Sequence, residues 1–160
     1  MRVGIIAVGR MKRGPERDLC DRYLDRLAKS ARPLGLEWTG VTELPEAREG
    51  SAAARKSAEA SAILARLSAG HLHIALDERG EAIGSEAFAQ LLARHRDDAA
   101  RHLMLVIGGP DGLDGSVRDT ASATIALGRL TWPHQIVRIL LAEQLYRATT
   151  ILSGHPYHRS

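Results

Sequence analysis

Apolar and polar positions along the chain follow two periods. Residues 3–8 form a short apolar run that stops at Gly9, and residues 71–76 and 103–107 are similar runs bounded by turn residues. Runs of this length predict buried strands. Residues 34–44 alternate loosely through Leu36, Trp38 and Val41, and residues 123–127 form a further short run. Between these stretches the spacing becomes helical. Pro15 and Glu16 open a predicted helix with Leu19, Tyr23, Leu24 and Leu27 on one face, and Pro33 closes it. Ala60, Ile63, Leu64 and Leu67 mark a second helix that ends at Gly70, while the Ala-, Glu-, Arg- and Ser-rich residues 45–57 read as a loop or a poorly anchored helix. Ser85 and Glu86 open a third, with Phe88, Leu91 and Leu92 on its apolar face. A helical turn is predicted over 116–120. The last helix starts near Pro133, the favoured first position, and carries Ile136, Val137, Leu140, Leu141, Leu145 and Ala148 to about residue 152, where Gly154 stops it.

Strands alternating with helices predict an α/β fold: a single domain over residues 1–160, with a mostly parallel sheet covered by helices on both faces. Aromatic residues are only 4% of the chain, so the core has to be aliphatic. One cysteine, Cys20, excludes an internal disulfide and fits a reducing compartment. The apolar runs are too short to span a bilayer, and the N-terminal run lacks the pattern of a secretory signal. A soluble cytoplasmic protein is expected.

Charge adds direction to this picture. The net charge is +3, and the segment from Gly128 onward carries all of it: Arg129, Arg138, Arg147 and Arg159 stand against Glu143 alone. Arg10, Lys12 and Arg13 form a second basic group just after the first strand. Basic groups gathered in this way suggest a polyanionic partner such as nucleic acid.

The chemistry-bearing stretches are turns. Residues 103–112, LMLVIGGPDG, run from a buried strand into a glycine-rich bend, where open α/β sheets bind ligands. Residues 76–80 and 127–133 are two more such bends, the first beginning with a predicted turn at Asp77-Glu78-Arg79-Gly80. A P-loop is excluded, because Gly108 and Gly109 are not followed by Gly-Lys-Ser/Thr. The Gly-x-Gly-x-x-Gly dinucleotide fingerprint, the Gly-x-Ser-x-Gly elbow and the zinc motifs are also missing.

The stretches VIGGPDGL and LGRLTWPHQIVRILLAEQLYRA, with the terminal GHPYHR, resemble the RlmH family of small SPOUT-class methyltransferases acting on 23S ribosomal RNA. The resemblance runs from Ala7 to the terminal HPYHR. It implies an α/β fold with a C-terminal trefoil knot, a homodimer built on the last helix, and methylation of N3 of a pseudouridine in the large subunit or whole ribosome. It implies S-adenosylmethionine as cofactor, contacted by Leu76, Gly108, Leu127, Gly128, Arg129, Leu130, Thr131 and Trp132. Leu76, Ile107, Leu127 and Leu130 offer apolar walls for adenine, and glycines allow close main-chain approach. No metal is needed, because a sulfonium already makes its methyl group electrophilic. Members often carry Gly-Lys after the third strand; here the pair is Gly80-Glu81.

The N3 proton of a pseudouridine must leave around the time of attack. His155, Tyr157 and His158 are candidate bases or relays, and Arg138, expected to face the pocket, is a candidate for stabilising charge on the flanking carbonyls. His134, at a helix start, reads as structural or close to the cofactor. Two other readings remain at this point: a non-catalytic ribosome- or RNA-binding factor that retains the cofactor pocket, and a small-nucleotide enzyme on the same sheet.

Overall fold

The computed structural model describes residues 1–48, 50–67 and 70–158. Strands β1 (Arg2–Val8), β2 (Glu37–Leu44), β3 (His71–Glu81), β4 (His102–Ile107) and β5 (Ala123–Ile125) alternate with helices α1 (Pro15–Ala31), α2 (Ala52–Arg66), α3 (Ser85–Asp97), α4 (Gly115–Asp119) and α5 (His134–Leu152). The sheet order is β2-β1-β4-β3-β5, and every pair is parallel. All strand carboxyl ends therefore share one edge, and the loops that leave them gather there.

Helices cover both faces, as the strand–helix alternation predicts. On one face α1, α3 and α5 pack over Val3, Ile5, Ala7, Ile74, Leu76, Leu103, Leu105 and Ile107. On the other, α2 and α4 cover Ile6, Val8, Ala75 and Val106. The side-chain period of two sends neighbouring residues of β1 and β4 to opposite cores, so both strands are apolar without a break.

Three boundaries differ from the sequence expectation. Helix α2 begins at Ala52, inside the stretch expected to be loop or weak helix, because the Ser51 hydroxyl caps it by accepting from Ala54 N–H at 3.1 Å. Asp77-Glu78-Arg79-Gly80 is not the end of β3. Leu76 and Glu81 both oppose Ile125, so the strand bulges outward over 77–80 and rejoins the ladder. The Asp77 carboxylate holds that bulge by accepting from Arg79 N–H at 3.0 Å. A side chain at Gly80 would put its Cβ 2.6 Å from the Ile125 backbone, so only glycine lets the bulge lie against β5. The first helix stops at Ala31 and passes through a 3-10 turn, Arg32–Leu34, which holds Pro33.

Candidate active site

Three loops meet at the carboxyl edge of the sheet. The bulge after Leu76, the turn after Ile107 and the segment entering α5 together line a cavity of about 620 Å³. Leu76, Ile107, Leu130, Trp132 and Val137 supply its apolar walls, and Gly108 to Leu113 its floor. A smaller cavity, about 290 Å³, adjoins it and is lined by Ile83, Phe88, Ile125, Leu127, Gly128 and Leu140, with Trp132 common to both. The Trp132 indole N–H donates to the Leu127 carbonyl at 3.1 Å, which closes the 127–132 loop on itself.

Of the eight positions expected to contact the cofactor, Leu76, Gly108, Leu130, Thr131 and Trp132 line the larger cavity, and Leu127 and Gly128 the smaller. Arg129 is exposed and lines neither. Leu130 is 70% exposed. So large an apolar exposure at a cavity mouth marks a surface that meets something.

The turn after β4 is tightly built. Gly112 N–H donates to the Gly109 carbonyl at 3.0 Å. A Cβ on Gly108 would lie 2.9 Å from the Gly112 carbonyl carbon, and one on Gly109 would strike the Glu59 carboxylate. Glu59, itself buried, accepts from Ala47 N–H at 3.0 Å and thereby ties the turn to the loop after β2. Asp111 pairs with Arg55 at 2.7 Å, and that hydrogen bond holds the Asp111 carboxyl below its ordinary range. Across the cavity Arg118 pairs with Asp77 at 3.4 Å and also donates to the Leu113 carbonyl. Lys56, Asp77, Glu78, Arg79, Asp111 and Arg118 all line the cavity and were not singled out as site residues from sequence. Lys56, Asp111 and Arg118 come from α2, the β4–α4 turn and α4, which no local motif connects.

His134 lines the cavity and sits 3.9 Å from Glu46. Arg138, one turn later, does not face it, contrary to expectation. Its side chain is only 4% exposed and points at the end of β1, pairing with Glu43 at 2.6 Å and donating to the Val8 and Gly9 carbonyls. Burial pushes the Glu43 carboxyl up, but the Met11 N–H and the Arg138 guanidinium together hold it below its ordinary value. Among the described residues Arg138 Nε is buried without a hydrogen-bond partner. Within one chain this arginine is a clamp between α5 and β1.

The tail lies further along α5. The Tyr157 hydroxyl donates to Glu143 at 3.1 Å, its ring packs on Tyr146 at 4.9 Å between centroids, and the Arg147 guanidinium stands 5.0 Å over it. Arg147 also binds Glu143 at 2.6 Å. Burial, a hydrogen bond with Tyr23 and the Glu143 charge push the Tyr157 phenol well above its ordinary range, which favours the donor role its hydroxyl has toward Glu143. His155 is exposed, and its Nδ1 accepts from Tyr157 N–H at 3.2 Å. His158 stands 3.6 Å from Glu86. Arg159 lies outside the described residues. Glu143 is nine residues beyond His134, about 14 Å along the helix axis. The tail and the larger cavity are thus separate features of one chain.

The site suits the cofactor that the resemblance implies. The cavity has the size of a small-molecule site, which runs to several hundred Å³, and it combines apolar walls for a purine with the Glu78 carboxylate for a cationic donor. Among the described residues no group of three or more His, Cys, Asp or Glu is placed to hold a metal ion, and no helix is long and apolar enough to cross a membrane.

Comparison with known proteins gives one result at every level. The family described as "Predicted SPOUT methyltransferase" matches residues 1–158. A Brucella anthropi protein named Ribosomal RNA large subunit methyltransferase H is 60% identical over 160 residues, covering 100% of both chains. A Rhizobium etli protein of the same name is 58% identical over 159 residues, 99% of each chain. Among solved structures, a probable methyltransferase from Bordetella pertussis Tohama I shares the fold at TM-score 0.52 and 19% identity, over 92% of this chain and 93% of that one. With three carboxyl-edge loops around one cavity and a family match over nearly its whole length, the chain belongs to the SPOUT methyltransferases.

Proposed function

We propose that this methyltransferase uses S-adenosylmethionine to methylate N3 of a pseudouridine in the RNA of the large ribosomal subunit, on the assembled ribosome in the cytoplasm. The observation that carries the reading is the convergence of Leu76, Gly108 and Leu130 to Trp132 on one cavity at the carboxyl edge of the sheet. The name shared by relatives at about 60% identity supports the substrate class.

The bound cofactor supplies a methyl group that is already electrophilic. The chain's task is to hold that carbon and the ring nitrogen in line. The three loops do the holding, with the Trp132 to Leu127 hydrogen bond keeping one of them closed. Transfer to N3 would release a neutral thioether from the cofactor, and the N3 proton would pass to a base. His155, exposed beside Tyr157, is the candidate acceptor, and Tyr157 a hydrogen-bond donor that orients the ring. Arg138 acts as a positioning residue, because its guanidinium is committed to Glu43 and the β1 carbonyls.

The reading includes a homodimer. Helix α5 buries one face against α1 and α3, yet Ile136 and Leu140 on the same helix are also apolar and only partly buried. A second copy across α5 would bring its own tail to the cavity that one chain keeps about 14 Å from Tyr157's anchor. The reading also includes a trefoil knot, supported by the family match over residues 1–158.

The test is transfer of labelled methyl groups to intact ribosomes, isolated large subunits, free ribosomal RNA and small nucleotides. Label confined to the ribosomal particles is expected. Cofactor binding without transfer to any of them would make the protein a binding factor, and transfer to small nucleotides would overturn the substrate class.

A further inference from the structure

We propose that the β1–α1 loop is a phosphate-binding collar that grips the RNA strand beside the target nucleotide. This rests on the RNA substrate proposed above and assigns the surface through which that substrate enters. Arg10, Lys12 and Arg13 are exposed, as is Arg129 on the loop entering α5. None of the four has an ion pair or side-chain hydrogen bond among the described residues.

The loop starts beside a residue of the larger cavity. A Cβ on Gly9 would stand 3.4 Å from Nε2 of His134, a lining residue, and Arg138 grips the carbonyls of Val8 and Gly9. The loop is also anchored. Met11 is buried, its N–H donates to Glu43 at 3.0 Å, and its carbonyl accepts from Arg17 at 3.4 Å. With the middle residue pinned inward, the three cations around it are held outward on a fixed backbone, so little ordering cost attaches to binding.

The opposite rim differs. There Asp77 and Asp111 pair with Arg118 and Arg55, while Glu78 stands beside Lys56 and Arg79. The β1–α1 loop carries three cations and no acid, so it offers a polyanion the more strongly positive rim. Arginine and lysine side chains free of protein partners neutralise backbone phosphates and release counterions, which makes binding salt-dependent.

The test compares two triple variants of the full chain. The first, Arg10→Gln/Lys12→Gln/Arg13→Gln, removes the collar. The second, Arg66→Gln/Arg94→Gln/Arg101→Gln, removes as much exposed charge from the opposite end of the sheet. Affinity for a large-subunit RNA fragment is read by fluorescence anisotropy over a salt series, beside cofactor affinity and thermal midpoint. The collar variant should bind RNA at least about tenfold more weakly, and its log affinity against log salt should flatten by about 2, the share of three phosphate contacts on a single strand. Cofactor affinity and thermal midpoint should stay at wild-type values. Unchanged RNA affinity, or an equal loss in both variants, overturns the collar. Selective RNA loss in a protein that transfers no methyl group to any RNA would keep the collar and defeat the proposed reaction.

Discussion

The two halves of α5 are held in opposite ways. In the first half, Arg138 is sealed inside the protein, its guanidinium shared between Glu43 and two β1 carbonyls, with one nitrogen left unpaired. In the second half, Glu143, Arg147, Tyr146 and Tyr157 form a cluster of rings and charges near the surface. An unpaired buried donor costs about 1–3 kcal/mol, so the first half gives up stability to fix a position. That position is the start of α5, where Pro133 and His134 line the cofactor cavity. The second half supplies no residue to the larger cavity, only Gln144 to the smaller one. It presents a tail whose phenol is kept protonated and whose imidazole stays in solvent. On the proposed function, the clamp serves cofactor binding and the tail the step that follows it.

Removing the tail breaks this comparison most sharply. Deletion of His155 to Ser160 should lower methyl transfer to ribosomes by about a thousandfold, the scale of positioned proton-transfer groups, and leave cofactor affinity within about twofold. Single-turnover transfer and equilibrium cofactor binding measured on the same preparation separate the two effects. Full transfer activity in the truncated chain would show that the second half of α5 serves packing alone.

Breaking the clamp should show the reverse pattern. Arg138→Met takes the guanidinium away from Glu43 and from the Val8 and Gly9 carbonyls, leaving Glu43 the Met11 N–H, and stability should fall by about 3 kcal/mol, as when one partner of a buried ion pair is lost. Cofactor affinity should fall with it, as the entry to α5 loosens. Adding Glu43→Leu to that variant should recover part of the stability and none of the cofactor affinity. Urea unfolding and cofactor titration measure both. Wild-type cofactor affinity in Arg138→Met would detach the clamp from the cavity.

This contrast marks the limit of what the sequence discloses. The five strands, the two-faced sheet and the three carboxyl-edge loops follow from runs and periods, since an apolar run of four to eight residues between turn residues has few other uses. The direction of Arg138 does not. Helix α5 is apolar on nearly every side, so periodicity assigns it no single buried face, and an arginine in it can turn to the cavity or to β1. Glu43 decides the matter, and it lies 95 residues away. The start of α2 was signalled only by Ser51, one capping residue in a stretch of alanines and charges. The 77–80 bulge looks like a strand end in sequence, because Asp and Gly mark turns whether or not the strand resumes. Lys56 and Arg118 reach the cavity from separate elements, which only the folded sheet brings together.

The smallest effect expected is also the most direct reading of the clamp's electrostatics. Glu43 titrates below its ordinary value in the folded protein, although burial alone pushes it upward, because Met11 N–H and Arg138 favour the charged form. A carboxyl lowered on folding contributes stability that is complete above its unfolded value and disappears as the pH falls through the folded one. The unfolded value is near 4.5. Between neutral pH and about pH 5 the clamp should therefore be intact, and below that the protein should lose stability as protons reach Glu43. Other carboxylates contribute to acid unfolding too, so the informative quantity is the difference from Glu43→Gln. That variant is weaker at neutral pH and should lose less on further acidification, so the two urea midpoints converge as the pH drops. Parallel midpoints from pH 7 to pH 3.5 would mean that Arg138 is held by the β1 carbonyls alone, with the Glu43 charge contributing nothing to the position of α5.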